Sequence, residues 1–111
     1  MNTELDTFEA LKYKIVVDKD GDKYYYNSVD QRHRENGPAV EYANGGKAWW
    51  INGKLHRENG PAVEYADGRK EWHINDQRHR EDGPAFESAN GTKEWWINGK
   101  LITEEEFNAR K

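Results

Sequence analysis

Residues 48–71 read AWWINGKLHRENGPAVEYADGRKE, and this stretch decides the fold. It holds two strand-like runs, Trp49-Trp50-Ile51 and Ala62-Val63-Glu64-Tyr65, rich in the β-branched and aromatic residues that suit a pleated surface. Asn52-Gly53 follows the first run and Asp67-Gly68 the second. Both dipeptides signal tight hairpins, because a type I′ turn needs positive φ at two central residues. The segment from His56 to Ala62 is a longer connection, whose Gly-Pro pair bars a helix and removes one backbone donor.

The stretch is one of three copies. Gly37, Gly60 and Gly83 each open a Gly-Pro-Ala string, 23 residues apart. His33, His56 and His79 keep that spacing, as do Arg34, Arg57 and Arg80, and Glu35, Glu58 and Glu81. Trp49, Trp72 and Trp95 follow it, with Ile51, Ile74 and Ile97. A fixed period of this length marks a repeat array, in which each unit buries its aromatics only by stacking on its neighbours. The spacing predicts an all-β fold, an antiparallel meander of tandem hairpins with two strands per repeat. Strands lie about 4.8 Å apart, so equivalent residues of adjacent repeats should sit roughly 10 Å apart.

Alternation along the strands divides the side chains. Val40, Tyr42, Val63, Tyr65 and Phe86 share one face, joined in this reading by Trp49, Ile51, Trp72, Ile74, Trp95 and Ile97 as the buried side. The opposite face then carries Trp50, His73 and Trp96 with Glu41, Glu64 and Glu87. A register slip of one residue exchanges the two faces.

The ends depart from the repeat. Thr3 and Asp6 resemble a helix N-cap pair, with Leu5, Phe8 and Leu11 following at helical spacing. Tyr13 to Val17 reads as a strand, turned into Lys23 to Tyr26, a degenerate first copy. At the far end Ile102 replaces the repeat histidine, and Thr103-Glu104-Glu105-Glu106 is a capping box that lets Phe107 fold back. The chain therefore divides as one domain: an N-terminal cap over 1–22, three hairpin repeats over 23–101 and a C-terminal helical cap over 102–111. Caps of this kind cover sheet edges that would otherwise invite aggregation.

The unit resembles a variant of the MORN repeat, over about residues 23 to 101. That family also repeats near 23 residues, with aromatic-x-x-x-Gly and a following aromatic-x-x-Gly. The likeness extends to small proteins of tailed bacteriophages that carry HREDGPA-type repeats, the string found here at 79–85. It implies the hairpin fold, protein–protein contacts, and a phage protein acting on a host protein or defence system. Two features differ from the common MORN pattern: Pro follows the repeat glycine, and His-Arg-Glu fills the loop.

Composition narrows the function. Hydrophobic and charged residues are each 34% of the 111 residues, so the core is thin and rests on five Trp and six Tyr. The absence of Cys excludes disulfides and thiolate metal sites and fits a cytoplasmic location, the host bacterial cytoplasm if phage-encoded. A net charge of −4 argues against non-specific nucleic-acid binding. No apolar run reaches membrane-spanning length, and the acidic N-terminus lacks the apolar core of a signal peptide.

Candidate chemistry is sparse. Zinc ligands sit about 2.0–2.1 Å from their ion, so histidines roughly 10 Å apart cannot share one. His33, His56 and His79 are expected to hold their Gly-Pro loops, with no metal or cofactor. Asp18-Lys19-Asp20-Gly21-Asp22 resembles part of a calcium loop but lacks its closing Glu, and reads as a β-turn. Ser28 and Ser88, the only serines, sit in no nucleophile elbow, so the chain is expected not to be an enzyme.

The expected function is a protein-binding module, monomeric or a small homo-oligomer, whose partner site is Trp50, His73 and Trp96 with Glu64 and Glu87. Exposed Trp is enriched in binding hot spots, while cap coverage or sheet curl would make the same rings structural. The alternative site is a loop-edge ladder of Arg34, Arg57 and Arg80, suited to a small anionic ligand such as a nucleotide. A purely structural or virion-associated role is the third possibility.

Overall fold

In the computed structural model, which describes residues 11–110, the strand-forming runs give mostly short strands in antiparallel sheets and one short C-terminal helix. The strands are β1 (Lys14–Val17), β2 (Lys23–Tyr26), β3 (Val40–Glu41), β4 (Lys47–Ala48), β5 (Trp50–Ile51), β6 (Lys54–Leu55) and β7 (Val63–Glu64). They continue as β8 (Lys70–Glu71), β9 (His73–Ile74), β10 (Gln77–Arg78), β11 (Phe86–Glu87), β12 (Lys93–Ile97) and β13 (Lys100–Ile102). The order β1-β2-β3-β4-β7-β8-β11-β12-β13 forms one long sheet, and β5-β6 and β9-β10 form two separate hairpins. The N-terminal helix expected from Thr3 lies outside the described residues, apart from an exposed Leu11.

A simple two-strand meander would run each Trp-containing strand straight through. Instead the strand changes partner at Trp49 and again at Trp72. The Trp49 N–H donates to the Ala62 carbonyl in the main sheet, while its own carbonyl accepts from the His56 N–H in the side hairpin. Trp72 does the same with Ala85 and His79, and Tyr25 with Ala39 and His33. Each such aromatic is a corner that opens a second track of hairpins beside the main sheet.

The two turn types separate along these tracks. Asn52-Gly53 and Asn98-Gly99 have positive φ at both residues, the type I′ geometry. Asn75-Asp76 occupies the same position without a glycine, at φ 48° and 71°. Asp67-Gly68 is different from its sequence reading: only Gly68 is left-handed, at φ 97°, and its N–H returns to the Tyr65 carbonyl. That is a longer hairpin closed by a glycine bulge.

Register corrects the expected faces by one residue. Val40 pairs with Ala48, and Val63 with Ala48 and Glu71, so these share a face with Phe86 and Glu94. Trp49 and Trp72 therefore project with Glu41 and Glu64, not with Val40. On that side one rung reads Lys23, Glu41, Lys47, Glu64, Lys70, Glu87, Lys93 across seven consecutive strands. Each opposed pair of unlike charge contributes roughly 0.2–1 kcal/mol, and a shifted register would juxtapose other partners.

The core is thin. Ala39, Val40, Ala62 and Ala85 are fully buried, with Tyr13, Tyr25, Ala48, Ile97 and Phe107 nearly so. Tyr13 meets Tyr25 edge to face at 6.0 Å, and Trp50 and Ile15 pack on that cluster. The buried alanines face the corners, the Ala39, Ala62 and Ala85 carbonyls accepting from the Tyr25, Trp49 and Trp72 N–H.

Helix α1 (Glu104–Ala109) closes the far end and buries Phe107. The Thr103 hydroxyl accepts from the Glu106 N–H, and the Glu106 carboxylate accepts from the Thr103 N–H. That backbone bond holds the Glu106 carboxyl below its ordinary range. Thr103→Ala is expected to lower stability by about 1 kcal/mol, seen as an earlier denaturant midpoint at unchanged slope. An unmoved midpoint would show that the cap does not anchor the end. Among the described residues no helix is long and apolar enough to cross a membrane.

Candidate functional site

Each Gly-Pro loop is organised by its arginine. The Arg57 guanidinium lies 3.8 Å from the Trp49 ring centroid, Arg80 4.0 Å from Trp72, and Arg34 4.0 Å from Tyr25. Nη1 of Arg57 donates to the Pro61 carbonyl at 3.1 Å and to Glu64 at 3.3 Å. Arg80 repeats this with Pro84 and Glu87, and Arg34 with Pro38 and Glu41. The glycine of Gly-Pro-Ala is needed for this crossing. A β-carbon on Gly83 would stand 2.8 Å from the Arg80 guanidinium carbon, and one on Gly60 3.0 Å from that of Arg57. Spacing of three residues between Arg and Gly thus encodes a stacked cation, not a free one.

The histidines join one unit to the next. Nδ1 of His33, His56 and His79 accepts from the N–H of Asn52, Asn75 and Asn98, at 2.9, 3.0 and 2.9 Å. An accepting Nδ1 leaves the hydrogen on Nε2, which points at Glu35, Glu58 and Glu81 at 3.4, 3.3 and 3.1 Å. Among the described residues no three His, Cys, Asp or Glu gather to hold a metal ion.

Two matching grooves lie between successive loops. One, of about 600 Å³, runs between the Arg34 and Arg57 loops over Trp49 and Ile51. The other, of about 730 Å³, runs between the Arg57 and Arg80 loops over Trp72 and Ile74. Their rims are acidic. The Glu58 and Glu81 side chains are 77% and 78% exposed, and among the described residues each meets only its neighbouring histidine. The arginines beneath are 12–29% exposed and already paired.

The aromatic row expected as a partner site is not an exposed row. His73 is buried, and Trp50 and Trp96 are half-buried beneath Arg32 and Arg78, at 5.2 and 5.1 Å. Glu64 and Glu87 belong to the other side, held by Arg57 and Arg80. The same one-residue register shift that moved Trp49 and Trp72 separates the three aromatic positions from the two glutamates.

His73 is instead part of a buried polar cluster. Its Nε2 lies 2.9 Å from Glu71 Oε1, while Glu71 Oε2 accepts from the Tyr65 hydroxyl at 3.0 Å and from Arg78 at 3.5 Å. Arg78 leans on to Glu94 at 3.9 Å, and Glu94 accepts from the Trp96 indole N–H at 2.9 Å. The bond from His73 holds the Glu71 carboxyl below its usual range against the opposing effect of burial. Burial, then the Glu71 charge, raises Tyr65. His73 Nδ1 has no partner among the described residues. The Glu71 and His73 side chains are 10% exposed, while Arg78 and Glu94 reach the surface.

Glu71, Tyr65 and Arg78 were missed in the sequence, though a signal existed. Aligned on the 23-residue period, Ala48, Trp50 and Leu55 become Glu71, His73 and Arg78. Three columns turn polar together in one unit because their side chains adjoin. No family model, curated protein or solved structure matches the chain.

Proposed function

We propose that the chain is a non-enzymatic protein-binding module, a MORN-like phage protein that docks on a host protein, such as a defence component, and modulates it. The observation carrying this reading is the pair of matching grooves on one edge, with apolar floors and exposed carboxylate rims. Apolar ground supplies binding energy, and rim charge governs approach and specificity. The nucleotide-holding alternative is less well supported. It needs arginine donors for phosphate, and Nη1 of each arginine is committed to a proline carbonyl and a glutamate.

The site accordingly moves from the aromatic row to the loop edge, and from its arginines to the groove rim. Immobilised protein should capture a partner from bacterial lysate, identified by mass spectrometry. Glu58→Arg with Glu81→Arg should lose that partner while keeping the native circular dichroism and melting temperature. Retention of the partner by this double variant would exclude the loop edge as the docking surface. Trp50→Ala is a poor substitute, because it would open the Tyr13–Tyr25 cluster.

A further inference from the structure

The geometry points to a specific partner for the loop edge: an extended peptide segment with a basic side chain at every third residue. The inference rests on the protein-binding reading and deepens it. Successive loops are two strands apart in the main sheet, about 10 Å, and one three-residue turn of an extended polyproline II segment spans about 9 Å. A segment in that three-residue-per-turn conformation, laid along the edge, returns a side chain to the same side and so to the two grooves at i and i+3.

What enters each groove follows from its lining. Trp49 and Ile51 floor one groove and Trp72 and Ile74 the other, beside the Arg57 and Arg80 guanidiniums already stacked on the rings, and their apolar surface suits a lysine or arginine stem. Glu58 and Glu81 stand at the rim with their charge uncompensated, because their one contact among the described residues is a histidine whose Nδ1 is already accepting. Glu35 continues the row but is paired with Lys12 at 2.6 Å, and Asp82 with Arg80 at 2.9 Å. An acidic segment would meet these carboxylates before it reached the half-buried arginines, which are already paired with Glu41, Glu64 and Glu87. The chain already uses the favoured arrangement internally, where Arg57 lies on Trp49 and is closed by Glu64.

The probe is a synthetic, fluorescently labelled peptide with lysine at every third position and proline between, which holds the polyproline II conformation. Its controls are a peptide of the same composition with lysine at every fourth position, and the glutamate analogue of the first. The third-position peptide should bind about tenfold tighter than the fourth-position control, as expected when a few exposed pairs form in register instead of one. Glu58→Gln with Glu81→Gln should bring both to the same affinity, and the preference should shrink as salt rises. Equal affinity for the two spacings in the wild-type protein would overturn the inference, as would tighter binding of the glutamate analogue. If the spacing preference fails while Glu58→Arg with Glu81→Arg still abolishes capture of a partner, only this inference falls. If neither measurement responds to the rim, the protein-binding reading of this edge falls with it.

Discussion

Glu71→Ala is expected to cost about 3 kcal/mol, a large share of the stability of a domain this thin. The Glu71 side chain is 10% exposed and serves three donors. Truncation leaves His73 Nε2, the Tyr65 hydroxyl and Arg78 without this acceptor, and His73 is itself buried. Glu71→Gln keeps one carbonyl oxygen and should lose less, about 1–2 kcal/mol. The decisive variant replaces the whole trio by that of the neighbouring unit: Glu71→Ala, His73→Trp and Arg78→Leu. Exchanging buried ions for well-packed apolar groups is often neutral or stabilising, so this triple change should recover most of the loss. Equilibrium denaturation reads all three; a triple variant weaker than Glu71→Ala would show that the cluster holds the unit together.

The same carboxylate sets an acid dependence. Folded Glu71 binds its proton less tightly than in the unfolded chain, so its contribution is complete above the ordinary glutamate range. It is lost as pH falls below that range through the lowered folded value. Glu71→Gln should flatten this part of the stability–pH curve.

Trp72→Ala should cost about 3 kcal/mol, the scale for deleting a large packed ring. The ring is half-buried and forms the corner where the strand changes partner, with Arg80 lying on it. Arg80→Ala loses that stacking together with the Pro84 and Glu87 bonds. Because the two side chains touch, their effects should fall short of adding by about 1 kcal/mol in a double-mutant cycle. Gly83→Ala should act through the same contact, since its β-carbon would displace the guanidinium. Full additivity of Trp72→Ala and Arg80→Ala would show that the stack contributes nothing.

Much of this architecture is legible in the residues. Antiparallel strands follow from the Trp-Trp-Ile and Val-Glu-Tyr runs, and Asn52-Gly53 and Asn98-Gly99 announce their own type I′ turns, whereas Asn44-Gly45 and Asn90-Gly91 have only the glycine left-handed. The C-terminal cap is spelled by Thr103 and Glu106. The faces are not legible, because alternation alone does not say whether Val40 meets Ala48 or Trp49. That choice depends on the glycine bulge in the 42–46 turn, which adds a residue to the loop. The site was obscured for a related reason. Arg57 and Glu64 look like two separate surface charges until the loop folds one onto the other across Trp49.

The Lys–Glu rung has a consequence for folding fidelity. It rejects small slips, yet it repeats with the same period as the chain, so a strand displaced by one whole unit meets the same charges again. Arginine stacks and histidine bonds would also re-form, because each unit carries its own. The polar trio breaks this degeneracy. A chain that skipped a unit would set Glu71 against an apolar neighbour lacking His73 and Arg78, leaving a buried carboxylate unmatched. His73 and Arg78 thus act as an address for Glu71, marking the middle unit so that its neighbours, which carry Trp and Leu at those positions, are not mistaken for it, within one chain or between two that fold side by side.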